Sequence, residues 1–308
     1  MHKTVKRILK ALSADNIEVN ASRQLANIKT IDPLKVFPKT VDAKIFNGDY
    51  EIPVRVFLPR ESDIETEIEN TQILLFFHGG GWATESIDTY ERSCARLAQE
   101  TNCAVISVGY RLAPEYKFPI PLEDCYAAAK AIYQGEFLAE INPDKITLVG
   151  DSAGGNLAAA VSLMARNTGD FKPKKQILIY PVTYGDYTDF SPFESVNENG
   201  SDFILTKGKM RDYVELYLAC DRDWLNPYFA PLREKDLSNQ PDTLIFTAEF
   251  DPLRDEGEAY AQKLLDAGNQ VELYRVEDAI HGFFALGLKS YPMPECYEII
   301  NSFLREEQ

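Results

Sequence analysis

The chain has 308 residues, 45% of them hydrophobic and 26% charged, which is enough apolar material for one or two packed domains. Its 48 acidic residues outnumber 32 basic ones for a net charge of −16, which repels nucleic-acid phosphates and anionic lipid surfaces. No apolar run reaches the ~18 residues of a membrane span, and no long segment is of low complexity.

The chain opens on MHKTVKRILKALSADN. It is basic but lacks the apolar core of about 7–15 residues that a secretory signal carries. It predicts a short amphipathic helix instead, with Val5, Ile8, Leu9 and Leu12 on one face. VDAKIFNG and EIPVRVFLP predict two strands joined by a turn, and the acidic RESDIETEIENT a solvated loop. QILLFF is a continuous apolar run, as a strand buried on both faces should be. DTYERSCARLAQE is helical in period, CAVISVGY a second buried strand, and EDCYAAAKAIYQ a helix. KITLV, NLAAAVSLMARN and KQILIYPV continue the alternation as strand, helix and strand.

The texture then changes. Residues 183–231 are rich in aromatics, Asp and Asn, with one helical piece at GKMRDYVELYLA. DTLIFTAEF, EGEAYAQKLLDAG, QVELYRVE and PECYEIINSFLREE resume strand, helix, strand, helix. Such alternation predicts an α/β architecture, a mostly parallel sheet covered on both faces, with the leading hairpin as an antiparallel edge. The insert cannot join that pattern and reads as a cap over the sheet. The division expected is an N-terminal cap region at 1–40, a core at 41–182 and 232–308, and a cap insert at 183–231.

Five cysteines, Cys94, Cys103, Cys125, Cys220 and Cys296, are odd in number and form no C-x-x-C pair. They read as reduced thiols of a cytoplasmic protein. No Cys/His cluster has the spacing of a metal site, so neither metal nor organic cofactor is expected.

One glycine-rich turn carries chemistry. In GDSAGGN, Ser152 lies between Gly150 and Gly154, after a strand and before a helix rich in small residues. A serine on a tight strand-to-helix turn is lifted clear of the sheet, and glycines two residues away let backbone pass close by. A nucleophilic serine needs a base, usually histidine, and the chain has three. His2 is terminal. His281 follows the strand QVELYRVE, at the same carboxyl edge as Ser152, and is the better base. His78 precedes three glycines and reads as an anchor for a loop that exposes N–H groups. Gly80 and Gly81, with Gly79 as a further candidate, would join the N–H of Ala153 in binding an oxyanion. The acid should follow another strand. Among Glu249, Asp251 and Asp255, Asp251 is the first choice, and Asp255 is second because it sits where a helix cap is expected. Trp82 and Phe283 adjoin these loops and are candidates for the pocket wall, and Asp151 for ordering the loops.

HGGGW (78–82), YRLAPE (110–115), GDSAGGN (150–156), DPLRDEG (251–257) and HGF (281–283) together resemble the hormone-sensitive-lipase-like esterases of the α/β-hydrolase superfamily. NPYFAPL (226–232) is similar to the segment closing their cap. The resemblance spans about residue 40 onward. It implies an α/β-hydrolase fold of about eight strands with a helical cap, nucleophile Ser152, acid Asp251 and base His281. Oxyanion donors would lie in the 79–81 loop and at Ala153. The expected reaction is hydrolysis of small, short-acyl esters through an acyl-enzyme. An amidase or peptidase on the same fold, or a receptor that has lost catalysis, is the alternative. A homodimer is left open.

Overall fold

In a computed structural model, residues 13, 17–28, 40–60, 68, 71–137, 141–286 and 293–305 are described. The amphipathic helix expected from Val5 to Leu12 and most of the acidic loop lie outside them. The apolar runs do form strands buried at every position: β3 (Ile73–Phe77), β4 (Ala104–Val108), β5 (Ile146–Asp151) and β6 (Lys175–Ile179). With β1 (Thr40–Asn47), β2 (Tyr50–Phe57), β7 (Asp242–Phe250) and β8 (Val271–Ile280) they make an eight-stranded sheet in the order β1-β2-β4-β3-β5-β6-β7-β8. The hairpin β1–β2 and its junction with β4 are antiparallel, and every other pairing is parallel.

Alternating side chains of the central strands feed two cores, as the period of 2 demands. Ile73, Leu75 and Phe77 of β3, with Ile146 and Leu148 of β5, face α3 (Ile120–Tyr133), α4 (Ala153–Thr168) and α7 (Arg254–Asp266). Leu74, Phe76 and Val149 face the other way, toward α2 (Glu91–Thr101) and α9 (Met293–Arg305). Helices therefore cover both faces. β3 and β5 are neighbours although β4 intervenes in sequence, so the strand order reverses direction between them. At such a switch point the loops leaving the carboxyl ends diverge and open a crevice.

The 183–231 insert between β6 and β7 carries α5 (Glu194–Glu198) and α6 (Lys207–Tyr217). The N-terminal segment, with α1 (Val19–Ile28), meets it: Ile17 N–H donates to Asp212 Oδ2 at 2.8 Å, and Ile204 N–H to Ser13 Oγ at 2.9 Å. The last short helix, α8 (Phe283–Leu286), follows His281 directly.

Candidate active site

Ser152 is the single residue between β5 and α4, and its backbone has φ 55° and ψ −118°. A side chain in this region costs about 1–3 kcal/mol, held only where the surroundings insist on it. Here they do. Ser152 N–H donates to Ile179 O at 2.9 Å, and its carbonyl accepts from Asn156 N–H at 3.1 Å and Val182 N–H at 3.3 Å. The flanking glycines are steric requirements. A Cβ on Gly150 would collide with the Gly154 carbonyl, and one on Gly154 with the Phe77 carbonyl of β3. The buried Ala158, Ala159 and Ala160 belong to the core that α4 shares with the sheet.

The loops after β7 and β8 bring two more side chains to Ser152. His281 Nε2 stands 2.9 Å from Ser152 Oγ, and its Nδ1 stands 2.7 Å from Asp251 Oδ2. Asp251 is fully buried, and its second oxygen accepts the Leu253 N–H at 2.9 Å. With the Nδ1 proton directed at the carboxylate, Nε2 is the ring's acceptor and the serine hydroxyl donates to it. Asp255 is elsewhere. It accepts the Ser195 N–H of α5 at 2.7 Å and pairs with Arg254. Glu249 accepts the Asp278 N–H at 2.7 Å.

The glycine loop after β3 lies beside Ser152 and is fixed peptide by peptide. Tyr110 O–H donates to the His78 carbonyl at 2.7 Å, and His78 Nδ1–H donates to the Gly79 carbonyl at 2.8 Å. Burial lowers the His78 pKa to about 4, so its ring is neutral at neutral pH, and it stacks on Tyr110 with centroids 4.4 Å apart. His78 is thus an anchor of the loop, 1% exposed. Gly79, expected among the oxyanion donors, differs from the other two: its N–H donates to Asp151 Oδ1 at 2.9 Å. A buried carboxylate beside the loop has captured that donor. Among the described residues no hydrogen bond engages the N–H of Gly80 or Gly81. Both have positive φ, 98° and 58°, and both line the cleft. Ala153 is the first residue of α4, where N–H groups have no intrahelical partner.

Asp151 also accepts from Tyr90 O–H at 2.8 Å and Tyr180 O–H at 3.3 Å. Burial raises its pKa to about 6, against the opposing pull of these donors. It ties the serine turn to the glycine loop, as its position suggested.

The cleft over Ser152 and His281 encloses about 220 Å³. Leu205, Met210 and Tyr213 of the insert supply much of its wall, and Leu286 of α8 lines it too. Trp82 and Phe283, expected in that wall, are absent from it. Trp82 is fully buried and stacks on Tyr217 at 4.4 Å; Phe283 packs edge-on against Tyr180 at 5.1 Å. Each follows a site residue in sequence but points into a core. The wall residues that sequence reading missed had one signal: Met210 and Tyr213 share a helix face three residues apart.

A family model described as alpha/beta hydrolase fold matches residues 74–285. An arylesterase of Saccharolobus solfataricus is 39% identical over 246 residues, covering 80% of this chain and 77% of that protein. An ethyl acetate hydrolase of Pseudomonas putida is 34% identical over 239 residues, covering 77% and 73%. Among solved structures, the esterase from Pyrobaculum calidifontis superposes with a TM-score of 0.85 at 33% identity, over 99% of this chain and 98% of that one.

Proposed function

Because the chain belongs to the hormone-sensitive-lipase-like esterases of the alpha/beta hydrolase fold and is a carboxylic ester hydrolase, we propose that it cleaves short-acyl esters, acetyl esters among them, through Ser152, His281 and Asp251. Ser152 Oγ attacks the ester carbonyl while His281 Nε2 takes its proton. The oxyanion is met by the N–H groups of Gly80, Gly81 and Ala153, already oriented before the reaction, and losing one such donor costs about 3 kcal/mol in the barrier. The imidazolium returns the proton to the departing alcohol. Water, deprotonated by the same nitrogen, then frees the acyl group from the serine. Asp251 holds the ring in the required tautomer and stabilises its charged form.

The observation that carries this reading is the unbroken chain Asp251–His281–Ser152, at 2.7 and 2.9 Å, beside two glycine N–H groups that none of the described residues engages. Short acyl groups are favoured by the cleft's 220 Å³, below the ~300–1,000 Å³ of sites for drug-sized ligands. The name of the Pseudomonas relative points the same way. The 183–231 insert and the N-terminal segment act together as the cap, since the insert walls the cleft and the two are hydrogen-bonded. The test is kcat/KM across p-nitrophenyl esters from acetate to decanoate. We expect the maximum at acetate to butyrate, and a maximum at decanoate would contradict the short-acyl assignment.

A further inference from the structure

The Gly80–Gly81 peptide is held by a chain of hydroxyls that ends on the insert. A trans peptide points its C=O and N–H in opposite directions, so fixing the Gly80 carbonyl aims the Gly81 N–H. That carbonyl accepts three hydrogen bonds: from Ala83 N–H and Thr84 N–H, each at 3.0 Å, and from Thr84 Oγ1–H at 2.9 Å. Thr84 has one hydroxyl proton, and it is given to Gly80. The 3.4 Å contact between Thr84 Oγ1 and Tyr213 Oη is therefore donated by Tyr213. Tyr213 also lies over the next residue: a Cβ on Gly81 would collide with its ring. Tyr213 belongs to α6, separated in sequence from the glycine loop by the three strands β4, β5 and β6, and it reaches that loop through space.

We propose that Tyr213 and Thr84 are positioning residues for the oxyanion hole, and that through them the seating of the cap helix α6 sets the direction of the Gly81 N–H. When α6 is in place, the Tyr213 ring covers Gly81 and its hydroxyl steers the Thr84 hydroxyl onto the Gly80 carbonyl. When α6 lifts, one of three restraints on the peptide loosens and the ring no longer blocks its rotation. Covering the substrate and completing the donor that stabilises the transition state are then one event. This rests on the serine-esterase reading above.

Thr84→Val and Tyr213→Phe remove one hydroxyl each and keep the shape. The measurement is kcat and KM for p-nitrophenyl acetate, with the ratio of kcat/KM for that ester to its thionoester, whose sulfur is a weaker hydrogen-bond acceptor. We expect Thr84→Val to lower kcat by about tenfold or more, and Tyr213→Phe by about threefold, with KM little changed. Both should lower the oxygen-to-sulfur ratio. The double variant should fall no further than Thr84→Val, because one hydroxyl acts through the other. If Thr84→Val does not fold, the ratio for Tyr213→Phe decides alone. An unchanged ratio, an effect confined to KM, or additive losses would overturn the coupling while leaving the esterase reading intact. Absence of ester turnover in the parent enzyme would instead remove the reading on which it stands.

Discussion

Asp251 and Asp255 follow the same strand and differ in what they hold. The first meets His281 at 2.7 Å, the second the α5 backbone at 2.7 Å. Asp251→Asn should therefore lower kcat by about 10⁴-fold, since the amide favours the wrong histidine tautomer. Asp255→Asn should leave kcat for p-nitrophenyl acetate within about threefold and lower the melting temperature, because it weakens a contact to the insert. The two histidines part in the same way. His281→Ala should reduce kcat by at least about 10⁴-fold, whereas His78→Ala, which frees the Gly79 carbonyl and removes the stack on Tyr110 but touches no reacting atom, should retain measurable turnover. Ser152, Asp251 and His281 could be singled out because each follows its own strand at the carboxyl edge of the sheet, and because the chain has only three histidines. Gly79 was misassigned because the sequence shows three equal glycines and hides the Asp151 carboxylate beside the first. Trp82 and Phe283 were misplaced because adjacency along the chain says nothing about which way a side chain faces.

At the scale of elements, α7 fastens the insert with a buried acid. Glu256 accepts the Thr183 N–H at 2.8 Å and the Tyr187 O–H at 3.0 Å, where the chain leaves β6. Burial raises its pKa to about 7, from an ordinary 4.5 in the unfolded chain. The unfolded state thus loses this proton first. The stability associated with Glu256 is fully present below about pH 4.5 and is lost as pH rises through about 7, a change of about 3 kcal/mol. Glu256→Gln keeps an acceptor and has no proton to lose. Between pH 5 and 8 its melting temperature should fall less than that of the parent, and parallel curves would contradict the assignment. On the opposite side, Arg23 of α1 donates to the carbonyls of Ala83 and Ala113, both at 2.8 Å, and pairs with Glu115. YRLAPE thus has a structural task that its sequence alone did not disclose. Arg23→Ala leaves two carbonyls without a donor and should cost about 1–3 kcal/mol in chemical denaturation. The strands were readable because continuous apolar runs have one explanation in a parallel sheet. The insert was not, because its residues pack by contacts far apart in sequence, which periodicity does not encode.

For the whole molecule, the order β4-β3-β5-β6 puts the glycine loop of β3 and the serine turn of β5 side by side at the switch point. β7 and β8 then bring Asp251 and His281 to the same edge, so four separate loops converge on one place. Alternation of strand and helix implied that edge, and the hairpin β1–β2 its antiparallel end. What alternation could not supply was the insert's own packing, and with it the shape of the cleft. Ser152, activated by His281, is expected to form a covalent intermediate. A fluorophosphonate probe followed by peptide mass mapping tests it directly. A single adduct on Ser152 is expected in the folded enzyme, strongly slowed in His281→Ala and missing in Ser152→Ala together with ester turnover. No adduct on Ser152, or turnover that survives Ser152→Ala, would contradict it.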